Sequence, residues 1–227
     1  VIGVLIPVHD EEDGLASCLE SVLRAAAHGG LAGEPVMIAL ALDACTDGSA
    51  QIAAAYPVTV LRLEARNVGA ARAAAAACLL DAGARWLACT DADTVVADDW
   101  LHRQLQLHHE AGADAVCGTV GVVDWTPHLA RLQQLLQRFH AAYTDADGHA
   151  HIHGANLGVC ARAYLRAGGF QSLGCSEDVA LVRALEEAGA RIAWSAAPRV
   201  VTSARIDSKA RGGFGDTLSA WSQALPL

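Results

Sequence analysis

The first half of the chain repeats one rhythm, and that rhythm restricts the fold more than any other feature. Short aliphatic runs, Ile2–Val8, Val36–Leu42, Val58–Leu63 and Trp86–Thr90, alternate with stretches that read as helices. Leu15, Leu19, Val22 and Ala26 recur at helical spacing, as do Leu101 and Leu105. Ala70–Leu80 is dominated by the strongest helix former. Near-continuous aliphatic strands alternating with helices predict an α/β fold, a mostly parallel central sheet with helices on both faces. Such sheets bind ligands beyond the carboxyl ends of their strands.

Polar residues gather at those ends. His9-Asp10-Glu11-Glu12 follows the first run and Asp43-Ala44-Cys45-Thr46-Asp47-Gly48-Ser49 the second. Arg66-Asn67-Val68-Gly69-Ala70-Ala71-Arg72 follows the third and Asp91-Ala92-Asp93-Thr94 the fourth. Four strands thus deliver polar or charged residues to one rim, a site signal that does not depend on any single motif.

Composition narrows the function classes. The hydrophobic fraction is 53% and the charged fraction 18%, which excludes intrinsic disorder and supplies a sizeable core. A net charge of −9 lacks the general basic field that draws proteins onto nucleic acid. A membrane-spanning helix needs about 20 consecutive apolar residues. The longest candidates, Val36–Leu42 and Ala73–Leu80, are far shorter and each ends at an aspartate. The opening Val1–Ile6 reads as a buried strand, not a signal peptide, and the lack of an initiator Met leaves room for residues removed ahead of it. Seven scattered cysteines without a C-x-x-C pair support neither a zinc ribbon nor a disulfide framework, and most read as small buried hydrophobes in a reducing compartment.

Asp91-x-Asp93 is the strongest local feature. Carboxylates two residues apart, where a strand breaks, converge on one divalent cation whose shell a substrate phosphate completes; Mg²⁺ and Mn²⁺ favour such oxygen donors. The plainer alternative is a solvated turn after a strand.

With these rims in view, the chain resembles the family 2 glycosyltransferases with the GT-A fold. Ile6-Pro7-Val8-His9-Asp10-Glu11-Glu12 resembles that family's I-P-x-x-N-E-E segment, and Asp43–Ser49 its D-x-S-x-D-G-T segment. Asn67-x-Gly69 with Arg72 is similar to N-x-G-x-x-x-A-R, and Asp91-Ala92-Asp93 to the D-x-D. Downstream, Gly154-Ala155-Asn156, Gly168-Gly169-Phe170 and Ser176-Glu177-Asp178 resemble the acceptor-side segments and the E-D motif. The resemblance covers roughly residues 1–205. It departs at Asp10, where the family usually has Asn. It departs again at Val201-Thr202-Ser203-Ala204-Arg205, where many members place a histidine; this run is instead similar to a bacterial subgroup.

The resemblance implies a single GT-A domain: a nucleotide-sugar half at 1–123, an acceptor half at 124–205, and a lid or helix at 206–227. It implies a metal-dependent, inverting transfer from a nucleotide-diphosphate sugar, UDP-linked, to a hydroxyl on a sugar, lipid or small-molecule acceptor, with Mn²⁺ or Mg²⁺ as cofactor. Donor binding then falls to Pro7, His9, Glu11, Asp43, Asn67, Arg72, Asp91 and Ala92. Asp43 accepts from the uracil N–H, Pro7 and His9 border the base, and Arg72 meets base or diphosphate. Asp93 ligates the metal, with Asp91 near ribose and metal. Arg72 has a plain alternative as an exposed residue on an alanine helix.

Such a transfer needs a neutralised leaving group, a positioned base and alignment. Asp178 is the expected base; the alternative is that Ser176, Glu177 and Asp178 cap the helix carrying Val179, Val182 and Leu185. His153, Gly154, Asn156, Gly169 and Glu177 are assigned to the acceptor side, where ordinary turns are the competing reading for the glycines. Trp125 and Phe170 read as sugar-stacking rings or, more simply, as core.

In the second half, Ala115–Val123 reads as a strand. Leu129, Leu132, Leu135, Leu136, Phe139 and Tyr143 line one helix face. The polar loop Thr144–Gly154 repeats the T-D-A-D of Thr90–Asp93 and sets His149, His151 and His153 at alternate positions. In an extended segment these share one face, which suits zinc or, more plainly, a polar loop at the acceptor entrance. The expected location is the cytoplasm, with peripheral contact at the inner membrane face left open. The main rival reaction is a haloacid dehalogenase-type phosphohydrolase with Asp91 as nucleophile, though three βα units precede Asp91 here. A non-catalytic nucleotide-binding protein is a third class.

Overall fold

The computed structural model describes residues 1–122, 125 and 132–203. The expected segment 206–227, Leu129, Val123 and Arg205 lie outside them. Strands β1 (Ile2–Val8), β2 (Val36–Asp43), β3 (Thr59–Leu63) and β4 (Trp86–Cys89) fall on the four aliphatic runs. Between them stand helices α1 (Leu15–Ala26), α2 (Ser49–Ala53) and α3 (Val68–Asp81). The chain continues through β5 (Thr94–Val96), α4 (Trp100–Glu110), β6 (Ala115–Gly118), β7 (Gly121–Val122) and α5 (Leu132–Ala142). It then forms β8 (Leu157–Cys160), α6 (Ala161–Arg166), α7 (Glu177–Glu187), β9 (Ile192–Ser195) and β10 (Val200–Thr202).

The seven-stranded central sheet runs β3-β2-β1-β4-β8-β6-β9. β1 is parallel to β2 and β4, β2 to β3, and β6 to β9, whereas β8 is antiparallel to both neighbours. β1 is buried along nearly its whole length, as a strand covered on both faces must be. Its half-buried position is Pro7. The β4 pairing ends at Leu5 while the β2 pairing runs on to Val8, so Pro7 sits where one ladder has already stopped, the kind of edge a residue without an N–H requires.

Helix α3 packs on β1 and β2 and touches α7, which touches α6; α1 packs on α2, α4 and β5. The first helix buries Leu15, Cys18, Leu19, Ser21, Val22 and Ala25, a stripe at the spacing read from the sequence, with Ala25 in place of Ala26. A second, three-stranded sheet, β5-β10-β7, stands beside the first. Its pairing splits the expected strand Ala115–Val123: β6 joins the main sheet, and β7 joins β10.

The seven cysteines are free, and all but Cys175 are at least half-buried. Burial pushes the Cys89 thiol up to about 12, so it serves as a small apolar side chain. Phe170 is buried in the main core, and Trp125 packs edge-on against Phe139 at 5.5 Å.

Candidate active site

The rim at the carboxyl ends of β1 to β4 is where the backbone is strained. Among the described residues five non-glycine residues have positive φ, and three lie in the turns after these strands: Asp10 (52°), Ala44 (51°) and Arg66 (49°). A fourth, Ser176 (59°), precedes α7. Left-handed backbone at a residue with a Cβ costs about 1–2 kcal/mol, and such residues cluster at binding sites.

Carboxylates hold these turns. Asp43, 3% exposed, accepts the Ala65 and Arg66 N–H groups on Oδ1 (2.7 and 2.9 Å) and the Asn67 N–H on Oδ2 (2.7 Å). Its two oxygens offer about four acceptor positions, so three are taken by the loop after β3. Asp10 accepts the Thr46 N–H at 2.6 Å and the Asp47 N–H at 3.2 Å, and the Thr46 bond holds its carboxyl below the usual range. His9 Nδ1 lies 2.7 Å from the Asp43 carbonyl. The carbonyl only accepts, so Nδ1 carries the proton. Asn67 caps α3, its Oδ1 accepting the Ala70 N–H at 2.9 Å. Glu11 is buried and its N–H donates to Ser49 Oγ.

Asp91 and Asp93 follow β4, both half-buried, with Ala92 buried between them. Antiparallel pairing of β5 with β10 sets Thr94 opposite Thr202. Thr94 Oγ1 donates to Thr202 Oγ1 at 2.9 Å, and Thr202 Oγ1 donates to Asp93 Oδ1 at 3.3 Å. Thr202 thus reaches the D-x-D from the stretch Val201–Arg205, in which many members of the resembled family place a histidine. Its only sequence signal is that position in the last strand.

The donor chemistry fits a hard cation: two half-exposed carboxylates on one turn, with a hydroxyl orienting one of them. Among the described residues, one group of three ligating side chains lies within 4.8 Å, namely Asp10, Cys45 and Asp47. Its Cys45 thiol is pushed up by burial, which suits Mg²⁺ or Mn²⁺ less well than oxygen donors. The three histidines do not form such a group. His149 and His151 stack at 5.5 Å and His151 and His153 at 6.1 Å, sharing a face as expected. His149 Nδ1 accepts the His151 N–H, and His151 Nε2 accepts the Thr144 N–H.

Arg72 is placed differently from the expectation. It is 2% exposed, and each guanidinium nitrogen reaches a protein acceptor: Nε to Glu177 Oε1 (2.9 Å), Nη1 to the Gly154 carbonyl (3.0 Å) and Nη2 to Asp91 Oδ1 (2.5 Å). Neither a donor-facing nor a solvent-facing side chain matches this. Burial works against its charge, but Asp91 and Glu177 outweigh it and hold the guanidinium above its ordinary pKa. Removing one partner of such a buried pair costs about 3–5 kcal/mol. Glu177, assigned to the acceptor side, is itself buried in this pair. Gly154 is required because a Cβ there would meet the guanidinium.

Asp178 is half-buried; its Oδ2 accepts the Gly154 N–H at 2.7 Å and its Oδ1 the Val179 N–H at 2.8 Å. Ser176 makes no side-chain cap. Asn156 must be reassigned: it is fully buried behind the rim. Its Oδ1 accepts the Trp100 Nε1–H (2.9 Å), and its Nδ2 donates to the Thr119 and Pro198 carbonyls (2.8 and 2.9 Å). An acceptor cannot touch it there. Gly169 is buried with φ +73°, over the Tyr164 ring. His153 is half-buried beside Gly154, with Nε2 3.1 Å from the Tyr143 hydroxyl. Burial, then His151 and His149, push its pKa down to about 4.

The family model for glycosyl transferase family 2 matches residues 3–167. No curated protein matches the chain. Among solved structures, S. aureus TarS 1–349 in complex with UDP-GlcNAc is 17% identical with a TM-score of 0.68, over 94% of this chain and 61% of that one. The mannosyltransferase PcManGT from Pyrobaculum calidifontis, in complex with GDP-Man and Mn²⁺, is 18% identical with a TM-score of 0.61, over 93% of this chain and 58% of that one. At these identities the likeness is one of fold, the GT-A fold, and the chain spans about three fifths of either relative's length.

Proposed function

The chain belongs to glycosyl transferase family 2, and we propose that it moves a sugar from a nucleotide-diphosphate sugar to a hydroxyl acceptor, with a divalent metal and inversion. The observation that carries this reading is the pair of carboxylate sites tied together by hydrogen bonds. Asp91 and Asp93 stand half-exposed at the end of β4, and Asp178 stands half-exposed at the start of α7. One hydrogen-bonded chain through Arg72 and Gly154 joins them.

Asp93 and Asp91 are the residues to hold Mn²⁺ or Mg²⁺. When bound, such an ion supplies Lewis-acid neutralisation of the diphosphate. The complex of the fold relative PcManGT with GDP-Man and Mn²⁺ supports that choice. Asp43 has one acceptor position left beyond the three loop bonds, which suits an imino N–H of uracil, and His9 and Pro7 border it. UDP and UDP-GlcNAc in the TarS complexes agree with a uracil base. Asp178 takes the proton of the attacking hydroxyl. The Gly154 N–H fixes one of its oxygens, which orients the base.

The division into a donor half at 1–123, an acceptor half at 124–205 and a segment at 206–227 remains part of this proposal, as do cytoplasmic location and peripheral membrane contact. Among the described residues no helix is long and apolar enough to cross a membrane. Phosphohydrolase chemistry at Asp91 loses support, because Asp91 is paired with a buried guanidinium in a glycosyltransferase family domain.

The test is calorimetry of UDP, GDP, dTDP and CDP with and without Mn²⁺, followed by turnover of the matching nucleotide sugar. Asp178→Asn should keep nucleotide binding and lower kcat by about 10²–10⁴. Binding with no turnover even in the native chain would point to a nucleotide-binding protein instead.

A further inference from the structure

Arg72 occupies a position that the donor-binding role does not account for. It sits on α3, yet its three nitrogens reach three other segments: Asp91 after β4, the turn at Gly154 and Glu177 at the start of α7. Its planar guanidinium is closed on another side by the Phe170 ring, 5.9 Å from Cζ. Gly154 uses both of its peptide groups: the carbonyl accepts from Arg72, and the N–H donates to Asp178 Oδ2. The donor-side carboxylate and the expected base are therefore joined by one guanidinium and one glycine.

Building on the reading above, we propose that Arg72 is a positioning residue: through Gly154 and Glu177 it sets Asp178 relative to Asp91, so that base and donor meet in register. Three features support this over a donor contact. The side chain is 2% exposed, so a diphosphate cannot reach it without displacing a carboxylate. All three nitrogens are already directed at acceptors that lie on different segments. The glycine at 154 is the residue that lets the guanidinium approach the turn, since a Cβ would occupy its place. A lysine keeps the charge but not the fork, and reaches one acceptor where arginine reaches three.

Two variants of the full chain test this, Arg72→Lys and Gly154→Ala; the second keeps every charge and serves if the first does not fold. Two readouts are taken: UDP binding with Mn²⁺ by calorimetry, and kcat and KM for hydrolysis of the UDP-sugar that the native chain turns over. Displacing a base by about 1 Å costs on the order of a hundredfold. The expected result is kcat lowered about a hundredfold, with KM and the UDP Kd within about threefold of native. Hydrogen exchange should rise together in residues 153–156 and 177–180 and stay unchanged in β1 and β2. A weakened UDP Kd with kcat retained would overturn the proposal and return Arg72 to the donor site. So would exchange that rises in α3 alone. If the native chain neither binds nor turns over any nucleotide, the family-level reading of its chemistry fails, while the exchange comparison still decides whether Arg72 ties the two segments.

Discussion

Asn156→Asp separates a brace behind the site from a wall that faces the acceptor. The amide is 0% exposed and makes three hydrogen bonds, one accepted from Trp100 and two donated to the Thr119 and Pro198 carbonyls. Aspartate has the same shape, so no cavity forms and the effect is confined to polar pairing. Replacing the NH₂ by oxygen removes two donor bonds worth about 1 kcal/mol each. A proton taken up by the new carboxyl restores one of them. That proton raises the carboxyl's folded pKa above its unfolded value of about 3.9. A raised pKa contributes stability below the unfolded value and loses it as pH rises, at about 1.4 kcal/mol per pH unit. The deficit relative to the native chain should thus be about 3 kcal/mol at pH 5 and grow by about 2 kcal/mol by pH 6.5. Urea unfolding followed by tryptophan fluorescence at the two pH values measures this. A deficit below about 0.5 kcal/mol and flat in pH would mean that the amide faces open solvent, and the acceptor assignment would return.

Thr202→Val removes the hydroxyl that bonds Asp93 and should weaken Mn²⁺ binding to the UDP complex about tenfold, with Thr202→Ser restoring it. Unchanged Mn²⁺ affinity by calorimetry would remove Thr202 from the site. His153 is held neutral in the fold with its pKa down to about 4, below its ordinary 6.5. A depressed pKa contributes stability above the unfolded value and loses it as pH falls, by at most about 1.4 kcal/mol per unit. His153→Gln should therefore narrow its Tm gap to the native chain between pH 6.5 and 4.5; a constant gap counts against a buried neutral imidazole. Gly169→Ala combines φ +73° with a Cβ 2.9 Å from the Tyr164 hydroxyl and should lower Tm by about 5 °C. Gly174→Ala, with nothing within 4 Å, should leave Tm nearly unchanged, and equal behaviour of the two would refute the strain argument.

The parallel half was legible because β1, β2 and β4 are largely buried on both faces, and even the half-buried edge strand β3 carries its aliphatic signal in its own residues. The four aliphatic runs match β1 to β4 within a residue or two, and Ala70–Leu80 lies inside α3. The second half was less so. Strand β8 is four residues long, LGVC, and runs antiparallel between β4 and β6. Such a run has no periodicity to read, and its direction depends on partners 44 and 72 residues away, as the Val159 pairings with Ala115 and Leu87 show. At the site, Asp91, Asp93 and Asp178 were recognisable as motif carboxylates. The burial of Arg72 and Asn156 was not, because it depends on Glu177, Phe170, Trp100 and Pro198, none of which adjoins them in sequence.

That difference sorts the acidic residues of the rim. Asp43 and Asp10 carry backbone N–H groups of strained turns, which lie 22–24 and 36–37 residues further along the chain. Replacing Asp43 by alanine leaves three N–H groups without their partner, one of them on left-handed Arg66, and replacing Asp10 leaves two, so nucleotide binding would be lost through the loops as well as through any direct contact. Asp93 and Asp178 are half-exposed, and each holds one oxygen by a hydroxyl or a backbone N–H on a neighbouring segment. Asp43 is buried with three acceptor positions taken by the loop, whereas Asp93 and Asp178, like Asp10, are half-exposed, and a carboxylate that meets a cation or a proton must be oriented yet accessible. On the proposed function, Asp43 would mainly build the donor pocket, and Asp93 and Asp178 would carry the chemistry within it.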